Sequence, residues 1–201
     1  MPDPPASDLF TRYVFEQWWP LAALLAIIGG VVLWRGLVEE RSRLEIAGAA
    51  ALLLGAIVAV TGWLVTTAGE HAKVVTRQFV DLAVEGDAVM ASRLLTGTAT
   101  LNVGRPENPG MDESAIIAML DQLGSTYAIE RNSITSLRGY SADTDTGVVH
   151  LACWTETVNS YGQVPSQWVL QVRRQPEGTW KIARITCVSI AGRIPDRGVL
   201  E

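Results

Sequence analysis

Val164-Pro-Ser-Gln-Trp-Val-Leu-Gln-Val-Arg-Arg-Gln-Pro-Glu-Gly-Thr-Trp-Lys-Ile-Ala-Arg-Ile-Thr-Cys-Val-Ser-Ile190 decides the fold of this chain. Trp168, Leu170 and Val172 alternate with Gln167, Gln171 and Arg173, and beyond Pro176-Glu-Gly178 a second run sets Ile185 and Cys187 against Arg184. Successive side chains of a strand point to opposite faces, so each run reads as a half-buried β-strand. Pro-Glu-Gly between them has the residue types of a tight turn. An isolated hairpin is marginal in water, so these strands need partners.

The partners lie upstream. Runs near 127–138 and 147–158 precede the strands near 164–175 and 179–190, and the connections Asp143-Thr-Asp-Thr-Gly147 and Asn159-Ser-Tyr-Gly162 are turn-like. Before them the period changes to that of a helix. Val75, Phe79 and Leu82 fall on one helical face that ends at Gly86. Asp87 can N-cap a short second helix running to Leu95. Asn102 to Gly110 is loop by composition, and a third helix over Asp112–Leu123 turns Ile116, Ile117, Leu120 and Leu123 inward. Helices first and strands after describe an α+β domain, about three helices on one face of an antiparallel sheet.

Tight hairpins set a register. Thr157 then faces Val164, Gln175 faces Trp180 and Arg138 faces Gly147. Four rows point to one face: Ser136–Val149–Val172–Ala183, Ile134–Leu151–Leu170–Ile185, Asn132–Cys153–Trp168–Cys187 and Glu130–Thr155–Ser166–Ser189. The other face carries His150–Gln171–Arg184 and Trp154–Gln167–Val188. A one-residue slip would exchange the faces, and this register yields one mostly apolar face and one mixed face. The inner face grades from apolar rows to a polar one, as a small-molecule pocket does. The rim of an ordinary core would show the same gradient, and both readings stay open. The pocket candidates are Glu130, Asn132, Cys153, Thr155, Ser166, Trp168, Cys187 and Ser189; His150, Trp154, Gln167, Gln171 and Arg184 are the candidates for a partner-binding face or for self-association. Cys153 and Cys187, two strands apart, are about 10 Å from each other at ~4.8 Å per strand, beyond the reach of a disulfide. They read as free, buried thiols.

Two uncharged stretches precede this domain, Trp18–Trp34 and Ile46–Gly69. A bilayer span needs roughly 20 apolar residues in a helix. Residues 17–69 therefore read as a transmembrane hairpin, with helices over 17–37 and 46–68 joined by a connection of about ten residues, Arg35 to Glu45. Trp18, Trp19, Trp34 and Trp63 stand at the ends of the stretches, where tryptophan prefers the headgroup level. Ala22, Ala26 and Gly30 on one helix, and Gly48, Gly55, Ala59 and Gly62 on the other, form small-residue seams along which helices associate in lipid. Neither span holds a charge, which argues against a transport path or proton relay. A cleaved signal peptide would need a basic start and a cleavage site, but Asp3, Asp8 and Glu16 outnumber Arg12 before the first stretch. Arg35, Arg41 and Arg43 in the connection place it in the cytoplasm, against Arg12 before the spans and Lys73 and Arg77 after them. The expected location is a bacterial inner membrane with the C-terminal domain outside. Residues 1–16, with Pro2, Pro4 and Pro5, read as a flexible tail, 70–195 as the domain and 196–201 as a C-terminal tail.

Phe79-Val-Asp-Leu-Ala-Val-Glu-Gly-Asp87 followed by Leu94-Leu95 resembles the opening of the nuclear transport factor 2-like (SnoaL-like) superfamily. Trp168-Val-Leu-Gln-Val-Arg173, then Gly178-Thr-Trp-Lys-Ile-Ala-Arg184, is similar to its close. The resemblance covers nearly all of 70–195 and implies a cone, a curved sheet wrapped over helices around an inner cavity. It implies a choice among isomerases, dehydratases, cyclases and non-enzymatic binding or assembly modules, and it carries no catalytic set onto these positions.

The remaining motifs are few. A net charge of −5 gives no footprint for nucleic acid. No Gly-rich phosphate loop, serine nucleophile elbow or zinc ligand set is present. Asp143 and Asp145 lack the other ligands of a calcium loop and read as a turn. His150 reads as a surface or interface residue and His71 as solvated. No metal or cofactor is expected. The chain reads as a membrane-anchored binding or interaction module, an accessory or assembly subunit with a small apolar cavity. The alternative is an isomerase, dehydratase or cyclase in which Glu130, raised in pKa by burial, is the acid–base group.

Overall fold

A computed structural model describes residues 18–64, 66–158, 160 and 162–195. The expected tails at 1–16 and 196–201, residue 17 of the first span, and Asn159 and Tyr161 of one turn lie outside the described residues. The chain divides into two compact units at about residue 68.

The N-terminal unit is a helical hairpin of α1 (Trp18–Glu39) and α2 (Ser42–Leu64). Only Glu40 and Arg41 join the helices, so the connection is far shorter than ten residues; the helices continue through the charged stretch. Arg35 and Arg41 each approach Glu39, at 3.6 and 3.4 Å. On α2 the expected line is buried at Gly48, Gly55 and Gly62, but on α1 the seam differs from the expected one. Gly30 has open space where a side chain would grow, and Gly29 and Gly36 are buried instead. With Ala22 they repeat every seven residues; Ala22 meets Gly55, Gly29 meets Gly48 and Gly36 meets Glu45 of α2. A methyl group on Gly48 would lie 2.7 Å from Leu33 Cα, and one on Gly29 would lie 2.9 Å from Leu52 N. A seven-residue repeat keeps a contact seam facing its partner along two helices, and small residues let the backbones touch. The opposite surfaces expose Leu24, Ile28, Val31, Leu53, Ile57 and Val60. Thr61 returns its hydroxyl to Ile57 O at 2.8 Å, so its polar group is satisfied within the helix. Trp19–Glu39 and Ser42–Gly62 are long and apolar enough to cross a membrane.

The second unit is the α+β domain. Helices α3 (Ala68–Glu85), α4 (Ala88–Ser92) and α5 (Glu113–Ser125) cover a five-stranded sheet of β1 (Leu95–Val103), β2 (Ile129–Ser141), β3 (Thr146–Thr157), β4 (Val164–Arg174) and β5 (Trp180–Ile190). The strand order is β1-β5-β4-β3-β2; β1 runs parallel to β5 and the other pairs are antiparallel. Helices on one face of a mostly antiparallel sheet are the α+β arrangement expected from the sequence. Strand β1 is missing from the sequence reading, which carries the second helix on to Leu95 and leaves the following residues unassigned; α4 ends at Ser92. Asp87 caps α4 by accepting from Met90 N, and Asp112 caps α5 by accepting from Ala115 N. The hydroxyl of Ser114 also donates to Asp112, and these bonds hold its carboxyl below the usual carboxylate range. Ala72, Val75, Thr76 and Phe79 form the buried stripe of α3. The start of that helix lies on the backbone of two strands: a methyl group on Gly69 would sit 2.9 Å from Tyr140 N, and one on Gly147 would sit 2.6 Å from Ala72 Cβ.

The register differs from the tight-hairpin reading in an instructive way. In the centre of β4 and β5 it agrees: Trp168 pairs with Cys187, Leu170 with Ile185 and Gln171 with Arg184. Irregularities on either side turn Ile182 inward in place of Ala183, and put Ser189 opposite Gln167. Strands β3 and β4 are offset by two residues, with Leu151 opposite Trp168 and Cys153 opposite Ser166. Two residues preserve the face. Strand β2 departs most. Ser141, not Arg138, faces Gly147, and bulges interrupt the ladder between Ile129 and Arg131 and between Ile134 and Ser136.

Candidate functional site

A cavity of about 300 Å³ lies between the helices and the concave face of the sheet. Helix α3 contributes Phe79, Val80, Ala83 and Val84, and α5 contributes Ile116, Met119, Leu120 and Leu123. Leu101, Leu151, Trp168, Leu170 and Ile185 complete the apolar wall from the sheet. These positions are the inward halves of the period-two strands and the inner stripes of the helices, so the same patterning that drives folding lines the cavity.

Polar groups gather toward the β3–β4 turn. They are Asn132, Cys153, Thr155, Thr157, Ser160 and Ser166. Most bond to each other or to the backbone. Thr155 Oγ1 donates to Asn132 Oδ1 at 3.0 Å, and the Trp168 indole N–H donates to Ser166 Oγ at 2.9 Å. Ser166 Oγ also lies 3.6 Å from Cys153 Sγ. Ser160 Oγ accepts from Thr157 N and reaches the carbonyls of Thr157 and Gly162. No Asp, Glu, His, Lys or Arg is among the described residues that line the cavity. Among these described residues the one ionisable group is the Cys153 thiol, which burial pushes upward against the weaker opposing effect of the Ser166 hydroxyl.

The structure brings together five of the eight pocket candidates: Asn132, Cys153, Thr155, Ser166 and Trp168. Three are elsewhere. Glu130 is exposed, because the bulge between Ile129 and Arg131 turns it out of the inner face. Ser189 shares the row of Gln167 and leaves the inner face through the irregularity in β4 and β5. Cys187 is wholly buried behind the cavity wall, and its thiol is pushed up to about 12, by burial first and by Cys153 second. Both cysteines are free and buried. Thr157, Ser160 and Val164 are cavity residues that the sequence reading missed. It pairs Thr157 with Val164 as the tight end of a hairpin, whereas Val164 in fact pairs with Thr155.

The outer face is less open than expected. His150 is 4% exposed, so it is no surface residue; Tyr140 meets it edge-on at 5.1 Å. Burial, with the Arg138 guanidinium adding to it, lowers its pKa. Gln167, Gln171 and Arg184 are half-buried, and only Trp154, at 43%, stands well exposed among the five candidates. His71 is stacked on the Trp180 ring at 5.0 Å rather than standing free in solvent. Asp143 accepts from Asp145 N at 2.8 Å within the β2–β3 turn.

No protein-family model and no curated protein sequence matches the chain. Solved structures that resemble it include a nuclear transport factor 2-like protein from Cytophaga hutchinsonii, at 13% identity over 57% of this chain and 92% of that one, with a TM-score of 0.48. A ketosteroid isomerase-like protein from Erwinia carotovora atroseptica gives 14% identity, 58% and 92% coverage and a TM-score of 0.46. A domain with a cystatin-like fold from Nostoc punctiforme gives 16% identity, 65% and 81% coverage and a TM-score of 0.48.

Proposed function

We propose that this chain is a membrane-anchored binding module whose domain holds a small apolar molecule without transforming it. The observation that carries this reading is the cavity wall, which is apolar and has no carboxylate, imidazole or amine among its described residues. General acid–base chemistry needs a titrating group within hydrogen-bond reach of the substrate. Glu130, the group on which the enzymatic reading rests, stands outside. The cavity is at the small end of ligand pockets, which run from about 300 to 1,000 Å³.

The test is an organic extract of the full chain purified from membranes, beside Ala83→Phe, which puts a ring into the cavity. The expected result is a small apolar compound in the wild-type extract and its loss from the variant. Identical extracts from two folded proteins would overturn the reading, as would conversion of the recovered compound by the wild type.

The hairpin supports residence in a bilayer, and Arg35, Arg41 and Arg43, at and beside the helix connection, support a cytoplasmic position for that turn with the domain on the other side. Protease added to intact spheroplasts should then digest the domain. Digestion only after lysis would reverse the orientation.

A further inference from the structure

We infer that the cavity selects a neutral ligand carrying one hydrogen-bond acceptor, a carbonyl or ether oxygen on an otherwise apolar body, and that Asn132 is the residue that recognises it. The inference rests on the binding reading above and adds the chemistry of the ligand. Asn132 sits on β2 beside Thr155 and lines the cavity. Its Oδ1 is occupied by the Thr155 hydroxyl. Its Nδ2 group, with two N–H donors, has no hydrogen-bond partner among the described residues. An unpartnered amide donor at the wall of a largely apolar cavity stabilises an acceptor that reaches it.

The other polar groups make no competing demand. Ser160 is engaged by the backbone, Ser166 accepts from Trp168 and shares a hydrogen with Cys153, and Thr155 gives its proton to Asn132. The Thr157 hydroxyl can rotate to donate or to accept, so it imposes no polarity. A charged ligand would be stranded. No described residue of the lining carries a compensating charge, and an unpaired ion in an apolar site costs far more than one hydrogen bond returns.

Three probes of one shape test this on the full chain in lipid nanodiscs: 2-acetylnaphthalene, 2-ethylnaphthalene and 2-naphthoate. Affinities are compared between the wild type, Asn132→Leu and Thr155→Val under identical conditions, so partition into lipid cancels. The ketone should bind the wild type about tenfold more tightly than the hydrocarbon, the size of one hydrogen bond made in an apolar site. Asn132→Leu should erase that advantage, and the circular dichroism spectrum and thermal melt of the variant, matched to the wild type, show that it is folded. Thr155→Val should weaken ketone binding partially by freeing the amide to turn, and the naphthoate should bind least. Equal binding of ketone and hydrocarbon to the wild type, or a ketone preference that survives Asn132→Leu, would overturn the role of Asn132 while leaving a binding cavity. Failure of both neutral probes to bind would overturn the binding reading itself.

Discussion

Trp168 donates its indole N–H to Ser166 Oγ at 2.9 Å, from two residues along the same strand into the same cavity wall. The ring thus covers apolar surface while its one polar atom is satisfied, the condition under which a tryptophan can sit in a core. Trp168→Phe should cost about 1 kcal/mol, chiefly the lost bond, and Trp168→Ala about 3 kcal/mol, at the lower end for removal of a buried aromatic because the site is only half-buried. Trp154→Ala, on the exposed outer face, should cost less than 1 kcal/mol. Urea melts of the three variants check the order; a larger loss at Trp154 would mean that the two faces of the sheet are exchanged.

The thiols should be silent in the native protein. Burial raises both, Cys187 to about 12. Since the thiolate is the nucleophile, neither should react appreciably with an aqueous disulfide reagent at pH 8, and both should react after denaturation without prior reduction. Rapid labelling of Cys187 in the folded chain would contradict its burial.

Stability should fall in mild acid through His150. Its folded pKa is lowered from 6.5, by burial first and the Arg138 guanidinium in addition, so the unfolded chain takes up a proton that the folded one resists. The contribution is complete above about pH 6.5 and is lost as pH falls below it. The urea midpoint should be lower at pH 5.0 than at pH 7.5, and the difference should shrink in His150→Gln. An unchanged pH dependence in that variant would assign the effect elsewhere.

The hairpin should tolerate side chains on one face of α1 and reject them at the seam. Gly48→Ile places a branched side chain on the backbone of Leu33, whereas Gly30→Ala grows into open space. Thermal unfolding in detergent should fall by several degrees for the first and change little for the second. Equal tolerance at both positions would show that the helices do not pack through Gly48.

Period-two alternation in 164–190 and helical spacing in 72–79 are local properties, set by which way consecutive side chains point. They were enough to place Leu151, Cys153, Trp168 and Leu170 on the inner face, and they survive a two-residue offset because a strand repeats its direction every second residue. The uncharged stretches announced two long apolar helices in the same way. The bulges are another matter. The one beside Ile129 exposes Glu130 and leaves Asn132 in the cavity, exchanging the expected carboxylate for an amide. Nothing in Ile129-Glu-Arg-Asn132 marks it, because a bulge depends on how the whole strand must bend to meet α3 and β3. Strand β1 is hidden for the same reason, since its partner β5 lies nearly ninety residues further along the chain. Spacing along the helices suggested four-residue steps from Ala22 to Gly30, and the buried line runs in sevens through Gly29 and Gly36. Which of two available small-residue lines becomes the seam is decided by the neighbouring helix that fills it.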